Sequence, residues 1–304
     1  TTETPPVAPA PPPKKRLSWL RRLLRLLVCF VLVSLLLLIS GLVWLLSTEE
    51  GLRFGLAKLP PLAGVNISSK TLQGSVWHGF KGDAWRIETE SADIDISRFD
   101  FQWQPQALWQ NKLHIQRLAA GDILIVSKPT PPKESQPSKL PESIRLPMAV
   151  QLDSLSVGKI SIKDTDNVVL KGGELAYVYD HQNHLITLKH LQSPWSSNQG
   201  KLTLNTVSPF ALTGQITGGG EVENIPVEGT IDLGGSLQQL TLNANLQGGK
   251  VNLMATTQLS PFENSLNKII GNLHIKGKGI NPIDFLPSAP QADLEFDAFI
   301  IPTD

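Results

Sequence analysis

Four groupings in this 304-residue chain have residue types and spacings that could do chemistry. His181-Gln182-Asn183-His184 sets two imidazoles near enough to share a divalent metal. It lacks the glutamate and the helical setting of a zinc-protease motif, and reads as a hairpin turn. Gly248-Gly249-Lys250-Val251 has neither the upstream glycine nor the Ser/Thr of a phosphate-cradling loop. Gly277-Lys278-Gly279 is a lone GxG that suits the end of a strand. Asp93 and Asp95 alternate with Ile94 and Ile96, which puts both carboxylates on one face of a strand, the solvated one, without the cleft a glycosidase pair requires. No Gly-x-Ser-x-Gly nucleophile elbow occurs. Cys29 is the sole cysteine and lies in an apolar run, which rules out an internal disulfide and a thiolate metal site. The expectation is a chain without catalytic residues, metal or cofactor. With 27 Lys+Arg against 27 Asp+Glu, it also lacks the basic field that nucleic acid would demand.

The elements around these groupings fall into two parts. Residues 1–22 begin with a stretch holding six prolines in its first thirteen positions, expected to be a disordered tail, and end in basic residues. Six cations, Lys14, Lys15, Arg16, Arg21, Arg22 and Arg25, precede an uncharged run from Leu26 to Leu46. That run holds ten Leu, four Val, one Ile and one Phe. Its length as a helix is about 31 Å at 1.5 Å per residue, close to a bilayer core. Residues 23–47 are therefore expected to be a transmembrane anchor. The run is too long for a signal-peptide core and lacks a small-residue cleavage site. The cations before it predict a cytoplasmic amino terminus, with the bulk exported. Trp19 and Trp44 suit membrane edges, whereas Trp77, Trp85, Trp103, Trp109 and Trp195 are expected to pack internally.

Beyond the anchor, Leu52, Phe54, Leu56 and Leu59 suggest a short helix that ends at Pro60-Pro61 and lies on the membrane surface. From Val65 the apolar period becomes two, as in Leu202, Leu204 and Thr206, or Leu240, Leu242, Ala244 and Leu246. Turns are predicted at Lys81-Gly82-Asp83, Gly172-Gly173, Gly218-Gly219-Gly220, Gly234-Gly235 and Gly248-Gly249. The expected domains are a first β segment over 48–127, a loop with six prolines over 128–147, and a longer β segment over 148–304. A short helix is hinted at around 262–271. Two Ser-Pro-Phe triplets, at Ser208 and Ser260, each follow a similar strand and argue for a stacked, elongated sheet.

A sheet with one apolar face must cover it, yet no amphipathic helix of useful length follows residue 60. Two outcomes stay open: a dry sandwich acting as a structural tether for protein partners, or a trough completed by an apolar ligand. Phospholipid is the ligand a membrane-mounted trough would meet. Exposing two sixteen-carbon tails to water costs about 25 kcal/mol at roughly 0.8 kcal/mol per methylene, and a continuous apolar surface removes much of that barrier. The inward positions read from the alternation are Leu202, Leu204, Ile231, Leu233, Leu240, Leu242, Val251, Leu253, Leu273, Ile275, Leu294 and Phe296.

The order of several segments adds a resemblance. Ser47-Thr48-Glu49-Glu50-Gly51-Leu52 follows the anchor; next come Gly74, Trp77 and Phe80, then Trp103-Gln104-Pro105-Gln106-Ala107-Leu108. Leu113-His114-Ile115-Gln116-Arg117-Leu118, the proline-rich interruption and Leu155-Ser156-Val157-Gly158-Lys159-Ile160-Ser161-Ile162 complete the series. Over residues 20–165 this resembles the amino-terminal region of the TamB family, inner-membrane subunits of the translocation and assembly module, within the wider AsmA-like group. The resemblance implies an all-β, elongated curved groove (a β-taco) behind one transmembrane helix in a bacterial inner membrane, with a periplasmic body. It implies a part in outer-membrane biogenesis through phospholipid movement or outer-membrane protein assembly. The implied partner is an Omp85-type, TamA-like barrel, contacted through a carboxy-terminal part with no counterpart in these residues. The family is several times longer, so the chain is expected to be a fragment of a longer protein.

Overall fold

In the computed structural model the described residues are 16–58, 65–128, 141–163, 167–222, 225–263, 269–284 and 288–301. The start of the proline-rich tail, most of the proline-rich loop and the center of the helix hinted at around 262–271 lie outside them.

Helix α1 spans Arg16–Ser47, beginning within the stretch expected to be tail. Its segment Leu23–Ser47 has a mean hydropathy of 3.1 and is not covered by the rest of the chain, so lipid is the solvent it suits. Helix α2, Glu49–Lys58, follows after a sharp corner. Thr48 Oγ1 accepts from the Gly51 amide at 3.0 Å and donates to the Trp44 carbonyl at 2.7 Å, capping α2. A Cβ on Gly51 would stand 2.5 Å from the Leu45 carbonyl oxygen, so glycine is what lets the helices meet. Arg53 Nη2 donates to Glu49 Oε1 at 2.8 Å and to the Leu72 carbonyl at 3.0 Å, latching α2 to the sheet. Leu52, 4% exposed, packs with Leu72 and Trp85, and Leu56, Ile67, Val76, Phe80, Ile96 and Phe99 surround them. Leu52 and Leu56 thus find an apolar partner in the open face of the first strands, while Phe54 stays exposed beside Trp44 of the anchor.

The strands are β1 Asn66–Ser68, β2 Thr71–Ser75, β3 Gly79–Glu88, β4 Ala92–Gln104, β5 Lys112–Ala120, β6 Ile123–Ser127, β7 Ala149–Val157, β8 Ile160–Ile162 and β9 Asn167–Leu170. They continue as β10 Gly172–Tyr179, β11 Asn183–Gln192, β12 Ser196–Asn205, β13 Leu212–Val222, β14 Ile225–Gly235, β15 Leu240–Gly248, β16 Val251–Leu259, β17 Ile270–Ile280 and β18 Leu294–Ile300. All eighteen belong to one open, curved sheet. From β10 to β18 each strand pairs antiparallel with the next. In the first half, β1 and β2 are two pieces of one line along β3, and β5/β6, β7/β8 and β9/β10 are broken in the same way. The breaks line up. Ala84 has φ 50° opposite the Ser97 region, Asp122 donates its amide to Ser97 Oγ at 2.8 Å, and Lys159 donates its amide to Asp122 Oδ1 at 3.0 Å. A row of bulges bends a sheet across its strands, which forms a crease here.

One pairing is parallel: β5/β6 with β7/β8. Parallel neighbors need a crossover that returns to the starting end, and this is the work of the proline-rich segment between Ser127 and Ala149. Its described end crosses the rim of the sheet. Ile144 donates its amide to the Thr206 carbonyl at 3.0 Å, Ser208 donates to the Glu142 carbonyl at 3.3 Å, and Ser143 bridges Val207. Tyr179 Oη accepts from the Leu146 amide at 3.1 Å and donates to the Leu146 carbonyl at 3.2 Å. Beneath this strap Tyr179 is 1% and Phe210 0% exposed. Tyr179→Phe should cost about 1–2 kcal/mol, since two polar groups of Leu146 lose their partner. Urea melts measure that cost, and unchanged hydrogen exchange at Leu146 would contradict the bridging role.

Four predicted turns lie inside strands. Gly82 is in β3, Gly172-Gly173 open β10, Gly218-Gly219-Gly220 sit within β13, and Gly234-Gly235 end β14. In β13 the role is close approach: a Cβ on Gly220 would be 2.0 Å from the Trp195 carbonyl oxygen, and one on Gly218 2.0 Å from Asn198 Oδ1. Gly248-Gly249 does form the β15–β16 hairpin turn.

Candidate functional site

In a sheet, directly opposed residues point to the same side, so the registers show which side chains share a face. One row runs Phe80, Phe101, Leu118, Leu155, Leu175, Leu188, Gly200, Ile216, Ile231, Ala244, Ala255, Ile275, Ala298. It crosses the sheet without a polar side chain. At about 4.8 Å per strand the twelve steps extend roughly 58 Å. Beside it lies Ile186, Leu202, Gly214, Leu233, Leu242, Thr257, Leu273, Ile300.

The registers put the twelve inward positions read from the sequence on this one face. Leu202 and Leu204 come from β12, Ile231 and Leu233 from β14, Leu240 and Leu242 from β15. Val251 and Leu253 come from β16, Leu273 and Ile275 from β17, Leu294 and Phe296 from β18. None is buried: Ile231, Leu294 and Phe296 are exposed, and the other nine are half-buried. Apart from Pro105 after β4, the buried apolar side chains among the described residues are Leu52, Leu72, Trp85, Tyr179 and Phe210, under α2 and the crossover strap. The face is thus closed at two places and open between β12 and β18. The sequence reading missed its first half. The alternation Phe99, Phe101, Trp103 against Arg98, Asp100, Gln102 carried that signal.

Large side chains on this face lie across neighboring glycines. A Cβ on Gly214 would be 2.4 Å from Leu202 Cδ2, on Gly229 3.0 Å from Leu246 Cδ1, and on Gly277 2.5 Å from the Phe296 ring. The glycines let bulky residues lie flat, so the floor stays apolar without being filled. A cleft of about 320 Å³ opens there, lined by Trp195, Ile216, Val227, Ile231, Ala244 and Leu246 around Gly218, Gly220 and Gly229.

The opposite face carries a polar row, with Met254 and Phe299 exposed on it as well. Lys201, Gln215, Asp232, Asn243, Thr256 and His274 form a row across β12–β17, with Gln215 Nε2 donating to Asp232 at 2.7 Å and Thr256 Oγ1 to Asn243 at 3.0 Å. Asp93 and Asp95 fall on this polar face, and Arg86 Nε meets Asp95 at 2.8 Å. His181 occupies the β10–β11 turn with φ 77°, while His184 lies in β11, hydrogen-bonded to Tyr177 Oη at 2.6 Å and to the Ile144 carbonyl at 3.1 Å. Both rings pack against Tyr179, His181 edge-on at a centroid separation of 5.5 Å and His184 stacked at 4.9 Å. His114 links Gln104 at 2.9 Å to Asp153 at 2.7 Å. Burial pushes the Asp153 carboxyl up, but hydrogen bonds from Gln151 and His114 outweigh it and hold it below the usual carboxylate range. A lowered folded-state value contributes stability above the unfolded value that is lost as pH falls through the folded one. Thermal melts should therefore lose stability below about pH 4, the usual carboxylate range. Asp153→Asn should flatten part of that loss; an identical profile in the variant would exclude Asp153 as its source.

The tryptophans divide differently from expectation. Trp85 is buried and Trp103 half-buried, its Nε1 donating to the Val76 carbonyl at 2.6 Å. Trp77 is exposed as well, and Trp109 and Trp195 are 89% and 76% exposed, Trp109 on the turn before β5 and Trp195 just before β12, where it edges the cleft of the apolar face.

A family model described as TamB, N-terminal domain, matches residues 37–194. No curated protein and no solved structure matches the chain.

Proposed function

The chain belongs to the TamB N-terminal-domain family, which ties it to the TamB/AsmA-type outer-membrane assembly system, and from that premise we propose that its apolar face is a path for phospholipid acyl chains. The observation that carries the reading is the unbroken apolar row from Phe80 to Ala298, combined with the absence of any buried side chain among the twelve inward positions. A tail lying along that row meets apolar groups at every strand, while its headgroup stays in water above the open side. The process involves no bond making and calls for no catalytic group. The anchor keeps the first strands beside the membrane, with the body in the periplasm and the amino terminus in the cytoplasm. Headgroups enter beyond α2, since Leu52 and Leu56 occupy the face over the first strands. Handover to an Omp85-type barrel is assigned to no residue of this chain.

Photocrosslinking tests the reading. A benzophenone amino acid at Leu242 or Leu253 should capture phospholipid in membranes, whereas the adjacent outward positions Asn243 and Asn252 should not. Equal lipid capture at both pairs, or protein capture alone at Leu242 and Leu253, would favor a tether without lipid.

A further inference from the structure

The exposure of Trp109 is unexplained by the groove, because it lines none of the described clefts. It stands on a stiff turn, Pro105–Gln110. Pro105 is buried at its start, and Asn111 closes it at φ 55°, donating its amide to the Leu108 carbonyl at 3.0 Å. Asn111 in turn accepts from the Ala149 amide at 3.2 Å. Trp109 is therefore held out from the body by the fold, with Leu108, also exposed, beside it.

We propose that the Leu108-Trp109 turn is a second membrane contact, docking on the phospholipid headgroup layer of the membrane that α1 spans. The placement follows from two hydrogen bonds. Trp77 donates its amide to the carbonyl of Leu46, the last leucine of the anchor, at 2.8 Å, which fixes the β2–β3 turn at the end of the apolar span. Trp103 Nε1 donates to the Val76 carbonyl at 2.6 Å, which ties β4, just before Pro105, to that same turn. The two turns close neighboring hairpins at the same end of the strands, about 10 Å apart at the usual strand spacing. Tryptophan is the side chain suited to the headgroup boundary, where its ring is buried and its N–H stays wet. A single helix leaves the body free to swivel. A second contact beside it fixes which way the open face points.

The test uses the full chain with Cys29→Ser in vesicles of phosphatidylethanolamine and phosphatidylglycerol. An environment-sensitive fluorophore is attached at Leu108→Cys or, as a control on the polar face, at Asn243→Cys. Spin-labeled lipids should quench the Leu108 position at least three-fold more than the Asn243 position. Equal quenching would overturn the proposal, as would shielding of the Leu108 position from both lipid and aqueous quenchers, which would mean a protein occupant. Independently, Trp109→Ser should lower the share of intrinsic fluorescence quenched by brominated lipid, and an unchanged share would count against it. Lipid capture at Leu242 and Leu253 is a separate readout, so either reading can fail alone.

Discussion

Leu242→Asp should lower phospholipid recovered with the chain at least ten-fold while leaving it folded and anchored. Leu242 is half-buried between Leu233 and Thr257, with no second layer of strands or helix over it among the described residues. Its carboxylate would reach water, so the folding cost is the lost part of a leucine's transfer energy, about 1–2 kcal/mol. A lipid tail crossing that point would instead meet an ion it cannot solvate. Were the face sealed by another protein layer, the same change would strand an unpaired charge and cost about 3–5 kcal/mol. Native mass spectrometry for lipid, with denaturant melts for stability, separates the two: lipid retained at wild-type level, or a collapse of folding, ends the groove reading.

The second large effect is expected at the other end of the sheet. Leu52→Asp should undock α2 and destabilize the first strands by about 3–5 kcal/mol, because the charge would sit among Leu72, Trp85 and their neighbors. Phe54, exposed on the same helix and facing Trp44 at a ring separation of 6.4 Å, should tolerate Phe54→Ser with a far smaller change. Hydrogen exchange over β2–β4 is the measurement, with membrane retention as the control for the anchor. Exchange no faster in the Leu52 variant than in the Phe54 variant would show that α2 is not what closes that end.

These effects differ because burial differs, and burial was the least legible property in the residues themselves. Alternation shows that Leu242 and Leu253 point the same way within their own strands, since successive side chains in a strand alternate sides. Whether a face is covered depends on what the chain lays over it afterward. Leu52 and Leu56 come from a short helix whose spacing is not cleanly helical, and they cover one end; the strap at Leu146 covers another spot. Glycine misled for a related reason. In Gly218-Gly219-Gly220 a turn and a strand look alike, and what selected the strand was the neighboring Trp195 carbonyl and Asn198 side chain approaching where a Cβ would stand. Trp109 and Trp195 were assigned to packing by residue type, which is indifferent to their place on turns.

The amino-acid sequence by itself determined the apolar helix, the β class and the inward-facing alternation, because hydropathy and a period of two are local properties that each segment carries alone. The tertiary structure decided that faces from strands far apart in the chain merge into one apolar row, that β5/β6 and β7/β8 pair in parallel, and that among the described residues the row stays open over β12–β18. Those are matters of register and coverage, set by contacts between distant residues, and no window of neighboring letters contains them.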